Sequence, residues 1–311
     1  MIELKSLVEK SKDKIQYYKV PYPHFIIDDF LPDEMVDEVI DNAIAQFDDD
    51  TLVIHGNRKF IPNTSAVFQT LMEESSAWKI LHRYLASQEF FNELKDNFYK
   101  NDTAFYKKMV GQHDILVKNL IKQKNSNFYQ KLRSIRLRRV DQCSLKGIIA
   151  FKIFSILEAV KLKCRVVISE FVSQKKIAQM LFDLSLAGNG YKREIHRDSD
   201  NRVFVFILYL SELDDKGSGG DLRIYSSQNT DESTIMNTRP SKDEVRDVSS
   251  IKPQKNRLVV FLNSERSFHG VDKMEQYQTK RLFCYGSFTM LNKPLLKLRN
   301  SMKTEFSLHI L

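Results

Sequence analysis

Cysteine is scarce: Cys143, Cys164 and Cys284 are the only three, and no two form a CxxC pair. An odd, unpaired set argues against a disulfide framework and a structural zinc site, and fits the expectation of a reducing, cytoplasmic compartment. Glycine (10) and proline (7) are too few for a collagen-like or low-complexity chain. No apolar run is long enough to span a bilayer. The longest, Gly147–Val160, is interrupted by Lys152 and Glu158. Its spacing predicts a packed helix, with an amphipathic contact to a membrane surface as the alternative. The opening MIELKSLVEK has no apolar core of the signal-peptide kind, and no internal repeat is present.

What the chain does have is enough apolar material for a sizeable core: 42% hydrophobic and 11% aromatic residues out of 311, which excludes disorder as the main state. The net charge of +8 conceals an asymmetry. Residues 101–165 carry 15 Lys and Arg against 4 Asp and Glu, whereas the rest of the chain is close to neutral at 33 against 36. Lys131, Arg133, Arg136, Arg138 and Arg139 crowd the middle of that segment. A solvated helical face accounts for such a cluster, and contact with an acidic partner, nucleic acid or a membrane surface is the alternative. Without interleaved aromatics, it does not have the character of a single-strand nucleic-acid site.

The periodicity divides the chain into 1–100, a helical and strand-bearing part; 101–165, a basic helical insertion; and 166–311, a β domain. His24–Phe30 reads as a strand, and Pro32 opens a helix running to about Phe47. Ser75 to about Lys100 reads as two helices. Asp102–Leu120 and Gly147–Val160 read as helices within the basic segment. From Arg165 onward the period falls to two, with strands expected at Val166–Phe171, Ile177–Leu186, Lys192–Arg197, Val203–Ser211, Leu222–Ser226, Arg257–Asn263 and Arg281–Met290. Turn residues such as Gly188-Asn189-Gly190 separate several of them. The fold class is therefore α+β, with a sandwich or barrel core and helices packed on it.

Chemistry concentrates in Glu194-Ile195-His196-Arg197-Asp198. On a strand, residues two apart project to one side, so His196 and Asp198 offer an imidazole and a carboxylate to one point. Alone this is weak: 7 histidines and 23 aspartates give roughly half of one His-x-Asp by chance. His269, just after the apolar strand Leu258–Leu262, can complete a two-histidine, one-carboxylate facial triad, the arrangement that suits non-haem Fe(II) with open positions. Arg281 follows at the head of a strand, where a guanidinium can grip a carboxylate through two parallel hydrogen bonds.

His196-Arg197-Asp198, the strand ending in Tyr209-Leu210, Gly219-Gly220-Asp221-Leu222-Arg223-Ile224-Tyr225, Asn256–Phe261, Phe268-His269-Gly270-Val271 and Lys280-Arg281-Leu282 occur in an order and spacing that resemble the 2-oxoglutarate- and Fe(II)-dependent dioxygenases, in particular their prolyl 4-hydroxylase-like branch. The likeness covers about residues 176–290, with a weaker match at Pro21–Leu31, and leaves the basic segment unexplained. The resemblance implies a double-stranded β-helix (jelly-roll) core. It implies that His196, Asp198 and His269 are the catalytic metal ligands, and that Arg281 and Tyr209 bind the distal carboxylate of 2-oxoglutarate, with Tyr285 a further candidate for the cosubstrate. Where some relatives carry a tyrosine before the Gly-Asn-Gly turn, this chain has Leu186. The cofactors implied are Fe(II), 2-oxoglutarate and O2, with ascorbate as an optional auxiliary. Halogenating relatives have a small residue in place of the carboxylate, so Asp198 implies hydroxylation. The substrate implied is a peptidyl proline, with a free amino acid, a sugar or another small metabolite as the alternative. A non-catalytic metal-binding jelly roll is a second alternative. Nucleic-acid demethylation is disfavoured, because Ser287 stands where that branch has a second arginine.

Overall fold

The computed structural model describes residues 14–47, 53–54, 56–110, 114–119, 160–228 and 237–291. The elements in chain order are β1 (Ile15–Tyr18), β2 (His24–Ile27), α1 (Asp33–Ala45), β3 (Val53–Ile54), β4 (Arg58–Pro62), α2 (Ala66–Glu74), α3 (Ser76–Leu85), α4 (Gln88–Asn101), α5 (Thr103–Val110) and β5 (Ile115–Val117). Helix α6 covers residues 160–173. Then come β6 (Lys176–Ala187), β7 (Arg193–His196), β8 (Arg202–Tyr209), β9 (Leu222–Ser227), β10 (Val245–Ile251), β11 (Arg257–Leu262), β12 (Phe268–Val271) and β13 (Arg281–Met290).

The strands form two sheets. The major sheet runs β1-β2-β11-β8-β13-β6-β4-β3, with β5 parallel to β6; the minor sheet runs β10-β9-β12-β7. The major sheet is buried on both faces, which is why β8 (RVFVFILY) and β11 (RLVVFL) are nearly continuous apolar runs. Phe204, Phe206 and Leu208 of β8 join the helix-side core with Trp78, Phe90, Phe91 and Phe98. Their neighbours Val205, Ile207 and Tyr209 turn the other way and pack against Leu222, Ile224 and Val271 of the minor sheet. This alternation follows from the two-residue period of a strand. Helices α2, α3 and α4 each start at a serine whose hydroxyl accepts the backbone N–H three residues on: Ser65, Ser75 and Ser87. Gly286 is required on β13, because a Cβ there would lie 2.3 Å from the Phe206 ring.

Three expectations are corrected. Val166–Phe171 is part of helix α6, not a strand; its Val-Val-Ile run has strand propensity, but the segment packs along a helical face. Asp102–Leu120 is not one helix: α5 ends at Val110, and Ile115–Val117 extends the major sheet beside β6. His24–Phe30 stops as a strand at Ile27, and Asp29 adopts a positive φ of 51°. Lys131–Arg139 and all of Gly147–Val160 except Val160 lie outside the described residues.

Candidate metal centre

His196 ends β7, His269 lies on β12, and the two are direct cross-strand partners. Their ring centroids are 4.4 Å apart. Asp198 follows two residues after His196, where β7 has ended and the chain turns back toward β8. His269 Nε2 lies 3.6 Å from Asp198 Oδ2. One ligand atom from each of His196, Asp198 and His269 falls within 4.8 Å of the others, close enough for small side-chain rotations to gather them on one ion.

Both imidazoles are oriented from behind. His196 Nδ1 lies 2.8 Å from the Glu194 carbonyl, and His269 Nδ1 lies 2.9 Å from the Ser267 carbonyl. A carbonyl only accepts, so Nδ1 carries the proton and Nε2 presents its lone pair. Burial, reinforced by the neighbouring His269, lowers the His196 pKa to about 3; burial lowers that of His269 as well. Both rings are therefore neutral, as metal ligation requires.

Asp198 is held on one side only. Its Oδ1 accepts from Arg202 Nη1 at 2.9 Å and from the Tyr285 hydroxyl at 2.5 Å, and Arg202 Nη1 also donates to the Tyr285 oxygen at 2.6 Å. Burial alone would raise the carboxyl pKa, but Arg202, then the two imidazoles and the Tyr285 hydrogen bond, hold it well below the usual range. Asp198 Oδ2 and His269 Nε2 are buried polar atoms with no hydrogen-bond partner. Two orphaned acceptors facing each other are costly unless a cation collects them, so the site fits a metal ion.

The second half of the site lies farther along β13. Arg281 is 1% exposed, whereas Lys280 beside it is exposed, so the arginine faces inward. Its Nη1 donates to the Gly220 carbonyl at 2.5 Å and its Nη2 to the Tyr209 hydroxyl at 3.0 Å; Nε has no partner. The guanidinium sits over the rings of Tyr209 and Phe283, each 4.9 Å from its centre, with Tyr191 at 5.9 Å. No carboxylate among the described residues forms an ion pair with it. Because Tyr209 accepts from Arg281, its own proton is free to point onward. Arg281, Phe283 and Tyr285 share one face of β13, so the arginine and the tyrosine that touches Asp198 are about 13 Å apart along the strand.

The sequence-predicted set is thus split between two clusters. His196, Asp198 and His269 come together, and Arg281 meets Tyr209. Tyr285, a candidate for the cosubstrate, has its hydroxyl on Asp198 and Arg202 instead. Arg223, in the Gly219–Tyr225 stretch, is engaged by Asp247 and lies 3.5 Å from Asp272. Leu186 faces the helix side of the sheet, and Tyr191, just after the Gly-Asn-Gly turn, stands over Arg281. Sequence reasoning missed Arg202, whose only signal is its spacing four residues after Asp198. It also missed Tyr22, whose hydroxyl donates to the Phe268 carbonyl at 3.2 Å beside the His269 strand.

Two histidines on the minor sheet with a carboxylate beside them, and a buried arginine on the major sheet, make a donor set that suits a non-haem Fe(II) ion. Residues 182–288 match the model described as the 2OG-Fe(II) oxygenase superfamily. No curated protein matches the chain. Among solved structures, a prolyl-4-hydroxylase from Pseudomonas putida is 14% identical, over 86% of this chain and 92% of that one, with a TM-score of 0.41. A prolyl 4-hydroxylase from Phytophthora capsici is 12% identical, over 86% and 58%, also at 0.41. A prolyl hydroxylase from Trichoplax adhaerens, in complex with a hypoxia inducible factor peptide fragment, is 11% identical, over 86% and 83%, at 0.39. No helix among the described residues is long and apolar enough to cross a membrane.

Proposed function

We propose that this protein is a 2-oxoglutarate-dependent hydroxylase acting on an unactivated C–H bond, with a peptidyl proline as the substrate and succinate and CO2 as co-products. The observation that carries the reading is the pairing of the triad with an unpaired buried guanidinium. A charge as deeply buried as that of Arg281 is costly without a counter-ion, and a ligand carboxylate supplies one. A dicarboxylate with a keto group at its far end meets both demands, engaging Arg281 at one end and the metal at the other. Fe(II), when bound, supplies the site where O2 is reduced at the expense of the keto acid.

The protein's own residues do the rest. His196, Asp198 and His269 would hold the metal, and two-histidine, one-carboxylate ligation would leave positions open for cosubstrate and O2. Arg281 and the Tyr209 hydroxyl fix the cosubstrate's distal carboxylate through charge-assisted hydrogen bonds. Arg202 and Tyr285 hold Asp198 Oδ1 and leave Oδ2 for the metal. The peptidyl-proline assignment rests on the motif resemblance over residues 176–290. The test is succinate release from 2-oxoglutarate by the iron-loaded protein, with proline-containing peptides analysed by mass spectrometry for a gain of one oxygen. Turnover accelerated by such a peptide supports the proposal. Turnover accelerated only by free amino acids or sugars would replace the substrate class, and no turnover at all would sink the reading.

A further inference from the structure

Helix α6 presents two faces. One packs on the body: Val166 is fully buried, and Leu162, Ser169, Glu170 and Ser173 are half-buried around it. Glu170 anchors that side, accepting from the Ile177 N–H at 3.4 Å and lying 3.5 Å from Lys176 Nζ. The other face is apolar and open to water. Val160 is 51% exposed, Val167 52%, Ile168 62%, and Phe171 and Val172 76% each. At the helical turn angle, Val167, Val160, Phe171, Cys164 and Ile168 form one stripe about 100° wide. Lys163 borders it on one side, and Lys161 and Arg165 border it on the other; all three are exposed.

That pattern narrows the occupant. Among the described residues of the helix, the exposed arc carries Lys161, Lys163 and Arg165 and no acidic side chain, because their one carboxylate, Glu170, is turned inward. A second copy docked face to face would set three cations against three, which disfavours a symmetric dimer. The face is a single convex helix, and a lipid interface accepts that shape without a matching groove. Long basic side chains beside an apolar stripe lay their stems along it and reach outward to headgroup phosphates and carboxylates. The excess of 11 positive charges over residues 101–165 adds attraction of the same sign. The placement also leaves the chemistry free: α6 leads into β6 at Lys176, and Arg281 pairs with Ala187 at that strand's other end.

We propose that α6 is an interfacial anchor that seats this protein on an anionic lipid surface. The test is flotation of the full chain with phosphatidylcholine vesicles and with vesicles carrying about a third phosphatidylserine. Wild type is expected to float with the anionic vesicles, and less so as salt rises. Ile168→Ser with Phe171→Ser should weaken binding about tenfold or more, through lost apolar insertion. Lys161→Glu with Lys163→Glu and Arg165→Glu should abolish the preference for phosphatidylserine. All five positions are exposed, so both variants should keep the wild-type melting temperature. An environment-sensitive fluorophore on Cys164, in a Cys143→Ser background, should shift to the blue on adding anionic vesicles. Absence of flotation would overturn the proposal, as would binding indifferent to Ile168→Ser with Phe171→Ser. Concentration-dependent self-association that this double change abolishes, without vesicle binding, would reassign the face to a second copy.

Discussion

The hydroxyl of Tyr285 and Oδ1 of Asp198 are 2.5 Å apart, and Arg202 bonds both. The three atoms close a triangle behind the carboxylate, so its other oxygen is aimed by groups on the far side of it. Partners of this kind typically contribute ten- to a hundred-fold to metal affinity. Tyr285→Phe is therefore expected to weaken Co(II) or Fe(II) binding by about tenfold at unchanged melting temperature, and Arg202→Met by more, because it also removes the balancing charge. Metal titration followed by the Co(II) absorption band checks this, and unchanged affinity in both variants would remove the pair from the site.

Each of His196→Ala, Asp198→Ala and His269→Ala is expected to abolish 2-oxoglutarate turnover while the fold survives. Two remaining ligands cannot fix the geometry, and each removed group lies in the site and not in the apolar core. Circular dichroism alongside succinate release separates loss of chemistry from loss of fold. Wild-type turnover in any one variant would remove that residue from the triad.

Arg281→Lys replaces a planar fork with a point charge. Losing one charge-assisted hydrogen bond costs about 1.5–3 kcal/mol, so the 2-oxoglutarate requirement should rise roughly ten- to a hundred-fold with some turnover kept at saturation. Arg281→Ala should cost more. Metal affinity should be nearly unchanged in both, and Lys280→Ala, on the exposed side of the strand, should behave as wild type. A cosubstrate requirement that follows Lys280 and not Arg281 would mean that the cosubstrate lies on the other face of β13.

His82 is a separate, structural matter. It lies against Phe68 and Phe182, with ring centroids at 5.3 and 5.8 Å, and burial lowers its pKa to about 4 from an ordinary 6.5. The unfolded chain takes up the proton first as pH falls. The contribution is fully present above pH 6.5 and is lost between pH 6.5 and 4, an effect of about 2–3 kcal/mol. His82→Leu should flatten the pH dependence of denaturant stability over that window; an unchanged slope would show that this ring is not protonated on unfolding there.

Strands with both faces buried were the most legible in the sequence. Arg281–Met290 appears with the expected bounds, and Arg257–Leu262 within one residue, because unbroken apolar runs bounded by turns leave few alternatives. Val245–Ile251 was invisible, since five of its seven residues are exposed and the run VRDVSSI carries almost no apolar period. Val166–Phe171 reads as a strand because the outward face of α6 is more apolar than its inward one, which erases the helical signal that a polar exterior would have supplied. The meeting of His196, Asp198 and His269 and the burial of Arg281 were legible in the sequence. Arg202 and the true neighbour of Tyr285 were not, because their meeting depends on how β8 and β13 pair, with Tyr285 opposite Ile207, and no local pattern encodes that register.

The pairing of His196 with His269 has a mechanical side. β7 is only four residues long and forms the edge of the minor sheet, and its register with β12 slips immediately after His269. A cation shared by the two histidines and Asp198 would act as a rivet across that seam, adding to the few hydrogen bonds by which β7 holds β12. Chelation should then do more than stop turnover: amide exchange along Arg193–His196 should quicken while β8, β11 and β13 stay protected.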